Sequence, residues 1–415
     1  MNSKIDEPVS GWSISALGDF LTLSLKPIPK PSQAYKSLGI RSHGKGTFQK
    51  VIKDPSKIQM DTLYKVSRND LIVNITFAWE GAIALVKATD EDHLVSHRFP
   101  TYKFNLEKAL PDFLKYIINL KSFFEQLGYI SPGGAGRNRV LNKRDFIKLK
   151  VNLPPLHEQK KIAEILTCVD ETIESTRKVI EQTKKVKQGL LQELLTKGIG
   201  HTKFKKTKIG EIPEEWEIVE LDKVLGETKY GTSSKCDFIK TDYPVLRIPN
   251  VVTGSISDKN LKYASLPSKE ANRYKLQEGD LLIVRTNGNP DYVGRCALVS
   301  RKEVGWLYAS YLIKLGVIGE VISSKYLRFL LEGQSVKNAI KKEVKTSAGN
   351  YNLNIPSIKG IRIPLPSRNE QNEIVCILNS IDAETESSEK ELSQLQYLKK
   401  GLMQDLLTGT VRVKV

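Results

Sequence analysis

A chain that repeats itself at long range must build the same structure twice, and this one repeats at an offset of 212 residues. From Leu153 it reads LPPLHEQKKIAEILTCVD, and from Leu365 it reads LPSRNEQNEIVCILNSID, so that Glu158-Gln159 falls on Glu370-Gln371. The same offset lays QGLLQELLT, from Gln188, on KGLMQDLLT, from Lys400, and RNRVLN, from Arg137, on GNYNLN, from Gly349. Further upstream the likeness is looser: Trp12 with Leu17 resembles Trp216 with Leu221, and DLIV from Asp70 resembles DLLIV from Asp280. The chain is a duplicated half, and 415 residues suit two units with connecting structure between them.

Within the first repeated segment Ile162, Leu166, Val169, Ile173, Thr176, Ile180, Thr183, Lys187, Leu190 and Leu194 alternate at spacings of four and three. Its duplicate places Ile374, Leu378, Ile381, Thr385, Ser388, Leu392, Leu395, Lys399, Leu402 and Leu406 at the same spacings. This is a heptad seam. A helix from Gln159 to Leu195 runs ~55 Å at ~1.5 Å per residue, between Pro154-Pro155 before it and Gly198 and Gly200 after it. Such a stripe needs a partner, and the other copy in the same chain offers a matching one at high local concentration. The first helix leads from the first globular half to the second and the other departs from the second. The expected pairing is therefore an antiparallel intramolecular coiled coil about a pseudo-twofold axis, with Thr176 facing Leu392 and Ile180 facing Ser388.

Lys and Arg number 64 against 47 Asp and Glu, giving a formal charge of +17 and a pI near 9.4. That balance favours a polyanionic partner, with nucleic acid foremost. Cys168, Cys236, Cys296 and Cys376 are scattered, without CxxC pairs or a His at ligand spacing, which argues against a zinc site or a disulfide framework. No apolar run reaches the ~18 residues of a membrane span. The N-terminus lacks the basic start and apolar stretch of a signal peptide, so a cytoplasmic protein is expected.

Residues 1 to 150 and 210 to 360 mix strand-like runs, such as Leu71 to Ile75 and Leu281 to Arg285, with helix, and read as α+β. Their loops carry groups suited to DNA: Arg41, Ser42, His43, Lys45, Arg137 and Arg139 in the first half, and Arg247, Asn250, Arg285, Thr286, Asn287, Asn289 and Asn350 in the second. Arg can bond guanine O6 and N7 together, and Asn can bond adenine N6 and N7. Because the two loop sets differ, they imply different half-sites. KGIGHTKFKKTK, Lys197 to Lys208, packs five lysines after the first helix, as a phosphate-contacting strap or a solvated linker.

Catalytic motifs fail at the residues their chemistry needs. GIRSHGKG, from Gly39, has Gly46 where a nucleotide-binding loop needs a magnesium-ligating hydroxyl. Asn289-Pro290-Asp291-Tyr292 has an Asp where the NPPY motif of amino-methyltransferases has its second proline, and no cofactor-binding glycine motif accompanies it. His43, His93, His97, His157 and His201 match no triad template.

LPPLHEQKKIAEIL and LLTKGIGHTKFKKTKIGEIPEEWEIVEL, with the duplicated plan, resemble the specificity subunit of type I restriction-modification systems over nearly the whole chain. The resemblance implies target-recognition domains over 1–152 and 201–364, and conserved helical regions over 153–200 and 365–415. It implies that each domain reads half of a bipartite DNA target, with the helices setting the gap, and that the chain is not itself an enzyme. The implied partners are two methylation subunits carrying S-adenosylmethionine, and restriction-translocase subunits using ATP and magnesium. Leu153, Pro154, Pro155, Leu156, Glu158, Gln159, Glu370 and Gln371 are implied in docking the methylation subunits. Ser367 and Arg368 stand where the first copy has Pro155 and Leu156, so the two docking surfaces are unequal. An isolated chain, its helical faces uncovered, is open to self-association. The competing reading is a free-standing architectural or regulatory DNA-binding protein.

Overall fold

The computed structural model describes residues 10–133, 139–252, 254–347 and 349–414. The chain divides into two compact units, one made of Met1–Arg177 with Lys390–Val415, the other of Lys178–Glu389. Each unit therefore takes part of both long helices, which span Leu156–Leu194 and Arg368–Thr408. The reason is burial. Ile162, Leu166, Leu406 and Leu407 pack in one core with Trp12, Phe20, Tyr102 and Phe113. Leu191, Leu194, Ile374 and Leu378 pack in another with Trp216, Leu281, Tyr326 and Phe329. Each fully buried side chain of this size contributes roughly 1.5–3 kcal/mol, so the helices are not separable from the globular parts.

Both units contain a four-stranded sheet of the same order. In the first unit the strands run Leu21–Leu23, Thr101–Phe104, Leu71–Val73, Ile83–Leu85; in the second they run Leu225–Tyr230, Leu312–Val317, Leu281–Val284, Cys296–Leu298. The similar DLIV and DLLIV runs are the buried central strands of these sheets. A second pairing joins the start of each globular part to the entry of its helix, Ser13 opposite Leu153 and Glu217 opposite Leu365. The first unit adds a five-stranded sheet containing Tyr35–Ile40 and Thr47–Ile52. The second adds two three-stranded sheets, one containing Tyr243–Leu246 and one pairing Thr286–Asn287, Asn350–Asn352 and Lys345–Ser347.

Along both helices the ten heptad positions are buried or half-buried. In the first unit Asp170 Oδ1 lies 2.6 Å from Lys399 Nζ. In the second, Lys184 Nζ lies 2.6 Å from Glu389 and Lys187 Nζ 2.5 Å from Asp382, numbers rising on one helix as they fall on the other. No helix among the described residues is long and apolar enough to cross a membrane.

Candidate nucleic-acid interface

In the first unit the turn from Arg41 to Gly46 leaves Arg41, His43 and Lys45 exposed. Its shape is set by bonds to the segment 80–81: Ser42 Oγ donates to Glu80 at 2.7 Å, and the His43 and Gly44 amides donate to the Glu80 and Gly81 carbonyls. His43 and Gly44 both adopt left-handed backbone, φ 61° and 65°. A Cβ at Gly44 would lie 2.0 Å from Asn119 Oδ1, so a larger residue there would have to displace that side chain as well as adopt the left-handed backbone that glycine takes freely. Arg41 stacks over Phe48 at 5.2 Å. Arg139 comes to the same neighbourhood, over Trp79 at 5.3 Å, with its guanidinium donating to the Ser131 and Gly128 carbonyls. Arg137 lies outside the described residues.

In the second unit the small sheet draws Thr286, Asn287 and Asn350 together, with Thr286 opposite Asn352 and Asn287 opposite Tyr351. The turn that follows is held by its own amides: Asn287 Oδ1 accepts from the Asn289 N–H at 2.8 Å, and Asn289 Oδ1 from the Asp291 N–H at 3.0 Å. Asn289 and Asn350 are exposed. Arg285 stacks over Tyr230 at 4.4 Å, its Nε buried without a hydrogen-bond partner among the described residues. Nearby, Arg295 lies over Tyr292 at 4.5 Å, and Lys341 is 3.7 Å from Asp291. Spacing in sequence gives no sign of the Arg139–Trp79 and Arg285–Tyr230 pairs, whose members stand more than fifty residues apart.

Asn250 corrects the sequence expectation. It is 1% exposed, its Oδ1 accepts from the Arg247 amide, and its Nδ2 donates to the Ser257 and Lys259 carbonyls. With its amide satisfied inside the protein, it shapes a loop and cannot reach a base edge. Arg247, on that loop, donates to the Asn260 carbonyl at 2.7 Å.

The segment after the first helix is an ordered hairpin, Phe204–Thr207 against Gly210–Pro213, anchored by buried Ile212. It leaves Lys203, Lys206 and Lys208 exposed, whereas Lys205 Nζ donates to the Glu214 carbonyl.

The Glu-Gln repeat also departs from expectation. Glu158 accepts from the Trp12 indole N–H at 3.2 Å and from Arg412, and Glu370 accepts from the Trp216 indole N–H at 2.8 Å and the Ile199 amide at 3.0 Å. His201 Nε2 stands 2.9 Å from Glu370. Each glutamate thus joins a tryptophan of its own globular part to the tail that follows the other helix. Hydrogen bonds from Arg412 hold the Glu158 carboxyl below the usual carboxylate range. Gln159 bridges the Leu110 amide to the Lys108 and Pro154 carbonyls; Gln371 bridges the Ser323 amide to the Val321 and Pro366 carbonyls. These four side chains are bolts within a unit and are not available to dock a partner. Leu153 and Pro154 are likewise buried, Pro155 is half-buried, and Leu156 is exposed.

Two structural copies match a family model described as the type I restriction modification DNA specificity domain, over residues 9–185 and 213–397. The chain belongs to the type I restriction-modification specificity family. It is 31% identical over 364 residues to the MjaVIII specificity subunit of Methanocaldococcus jannaschii, covering 84% of this chain and 82% of that one. It is 28% identical over 295 residues to the EcoKI specificity subunit of Escherichia coli, covering 68% and 61%. The fold is shared with a solved chain from a study of type I restriction-modification assembly (TM-score 0.59, 18% identity, 98% of this chain and 100% of that one). It is also shared with the S subunit from M. genitalium (TM-score 0.59, 17% identity, 97% and 98%). Nothing in these relationships supports the free-standing architectural reading.

Proposed function

We propose that this specificity subunit reads a bipartite DNA sequence, its first unit taking one half through the Arg41–Lys45 turn with Arg139, and its second taking the other through Arg285, Thr286, Asn287, Asn289 and Asn350. One observation carries this reading: units with matching four-stranded frames carry, on added sheets that differ between them, turns of unlike sequence, a constant scaffold with variable readers. The cations meet phosphates, and the exposed amides meet base edges.

The long helices form an antiparallel coiled coil that sets the gap between half-sites. The supports are the heptad burial and the Asp170–Lys399 and Lys187–Asp382 pairs, which stand at duplicated positions. A charged pair inside a seam favours one register over slipped ones.

The chain acts without catalysis of its own, in the cytoplasm. Two methylation subunits supply S-adenosylmethionine chemistry, and restriction subunits use ATP and magnesium. With the Glu-Gln bolts turned inward, docking falls to Leu156 and to outward apolar residues of the helices such as Val179, Val186 and Ile377. Left uncovered, the same surfaces make the isolated chain prone to self-association. Selection from a random duplex library by the chain with its methylation subunits tests the reading. It should recover one gapped, non-palindromic motif; an ungapped or palindromic motif would overturn it.

A further inference from the structure

In the second unit the segment 231–242 links the strands Leu225–Tyr230 and Tyr243–Leu246 and is fastened at several points. The Thr232 amide donates to the Tyr308 carbonyl and the Ser310 amide to the Thr232 carbonyl, both at 2.8 Å. Asp237 and Tyr263 exchange both backbone hydrogen bonds, at 2.9 and 2.7 Å. Cys236 packs against the small core of Val245, Ala264, Ala271, Leu307 and Ala309. Yet this well-held loop presents two adjacent large apolar side chains to solvent, Phe238 at 61% and Ile239 at 72% exposure.

The rim around them is cationic. Lys262 Nζ lies 4.9 Å and Arg247 Cζ 5.8 Å from the Phe238 ring centroid, and Lys235 and Lys240 are exposed on either side in sequence. Of the acids in the loop, Asp237 accepts from the Phe238 amide at 2.6 Å and Asp242 from the Ser265 hydroxyl at 2.9 Å. An apolar point within a positive rim complements a surface that is anionic outside and apolar within. Duplex DNA has that chemistry: cations sit on phosphates while an apolar side chain enters a base step.

We infer that Phe238 and Ile239 form a wedge that enters the DNA at the second half-site and unstacks one base step, with Lys262 and Arg247 on the flanking phosphates. The inference rests on the proposed reading that the second unit binds DNA. It adds a contact through side chains that the proposed readers do not include.

The test uses the chain with its methylation subunits and a duplex carrying the selected motif, with 2-aminopurine placed in turn at each position of the second half. Binding should brighten one position. Phe238→Ser with Ile239→Ser should abolish that signal and weaken binding roughly tenfold or more, the equivalent of leaving one large apolar side chain unburied. Phe238→Tyr with Ile239→Val should preserve both, and thermal melting should be unchanged because both side chains are exposed. Unaltered binding and fluorescence in the serine variant would overturn the wedge. So would loss of affinity with no brightening in the wild type, or loss of methylation-subunit co-purification with DNA affinity intact. If the wild-type complex selects no gapped motif, the proposed function itself fails, an outcome separate from these.

Discussion

Lys187 Nζ stands 2.5 Å from Asp382 Oδ1, and the residues at the same positions of the other repeat, Lys399 and Asp170, pair at 2.6 Å. Each helix thus carries one aspartate and one lysine of the repeat, and each pairs with its counterpart on the other helix. The surroundings differ. Asp382 also accepts from Arg328 at 2.9 Å, whereas Asp170 accepts from the Tyr116 hydroxyl at 3.0 Å.

The two pairs should differ in weight. Lys187 and Asp382 side chains are 19% and 28% exposed, against 29% and 38% for Lys399 and Asp170. Asp382→Asn leaves Lys187 and Arg328 facing a neutral amide and should cost about 1–3 kcal/mol. Asp170→Asn, in the more solvated pair, should cost less than ~1 kcal/mol. Lys187→Met with Asp382→Leu should cost less than Asp382→Asn alone, because Arg328 keeps Glu332 at 3.0 Å. Denaturant titration of the three variants decides it, and equal costs would count against the ranking.

Cysteines at 180 and 388 should form a disulfide under mild oxidation, as should a pair at 176 and 392, if the helices hold the proposed register. The exposed native Cys168 and Cys376 and the half-buried Cys236 must first become serine; buried Cys296, its thiol pushed up to about 12 by desolvation, can remain. Folded protein that fails to crosslink at both sites would exclude this register.

The Glu158 bolt should depend on pH in one direction. Its carboxyl is held low by hydrogen bonds from Arg412 and the Trp12 indole. A carboxyl with a lowered folded-state value contributes stability that is complete above its ordinary value of 4.5 and disappears as pH falls through the lower one. The Tm gap between wild type and Glu158→Gln should therefore stay level from neutral pH to about 5 and close only below 4.5. A gap that widens with acid would contradict the bolt.

Reader and scaffold substitutions should separate. Lys45→Ala should weaken all sequences alike and lower the salt slope by about 0.9. Asn289→Ala should relax base choice only in the second half, by about 1–3 kcal/mol. Asn250→Ala should instead lower stability, since it leaves three backbone groups without their partner. Motif selection beside thermal melts distinguishes these outcomes; a base-preference change from Asn250→Ala at unaltered stability would reverse its assignment.

The duplication, the α+β halves and the heptad positions were legible in the residues because they are periodic or repeated, and periodicity is a local property of a chain. So were the loops rich in Arg and Asn. The sense of Glu158-Gln159 and Glu370-Gln371 was not. As a motif the pair suggests a surface for a partner, and only the fold shows that Trp12 and Trp216, more than 140 residues away, claim the two carboxylates. Asn250 misled for the same reason: its residue type suits a base edge, but its burial is a property of chain segments brought together. The exposure of Phe238 and Ile239 lay equally hidden, since only the fold leaves both side chains outside a core. Local order follows from side-chain pattern along the backbone. Which polar groups remain available to a partner depends on long-range packing and desolvation, and these exist only once the chain has folded.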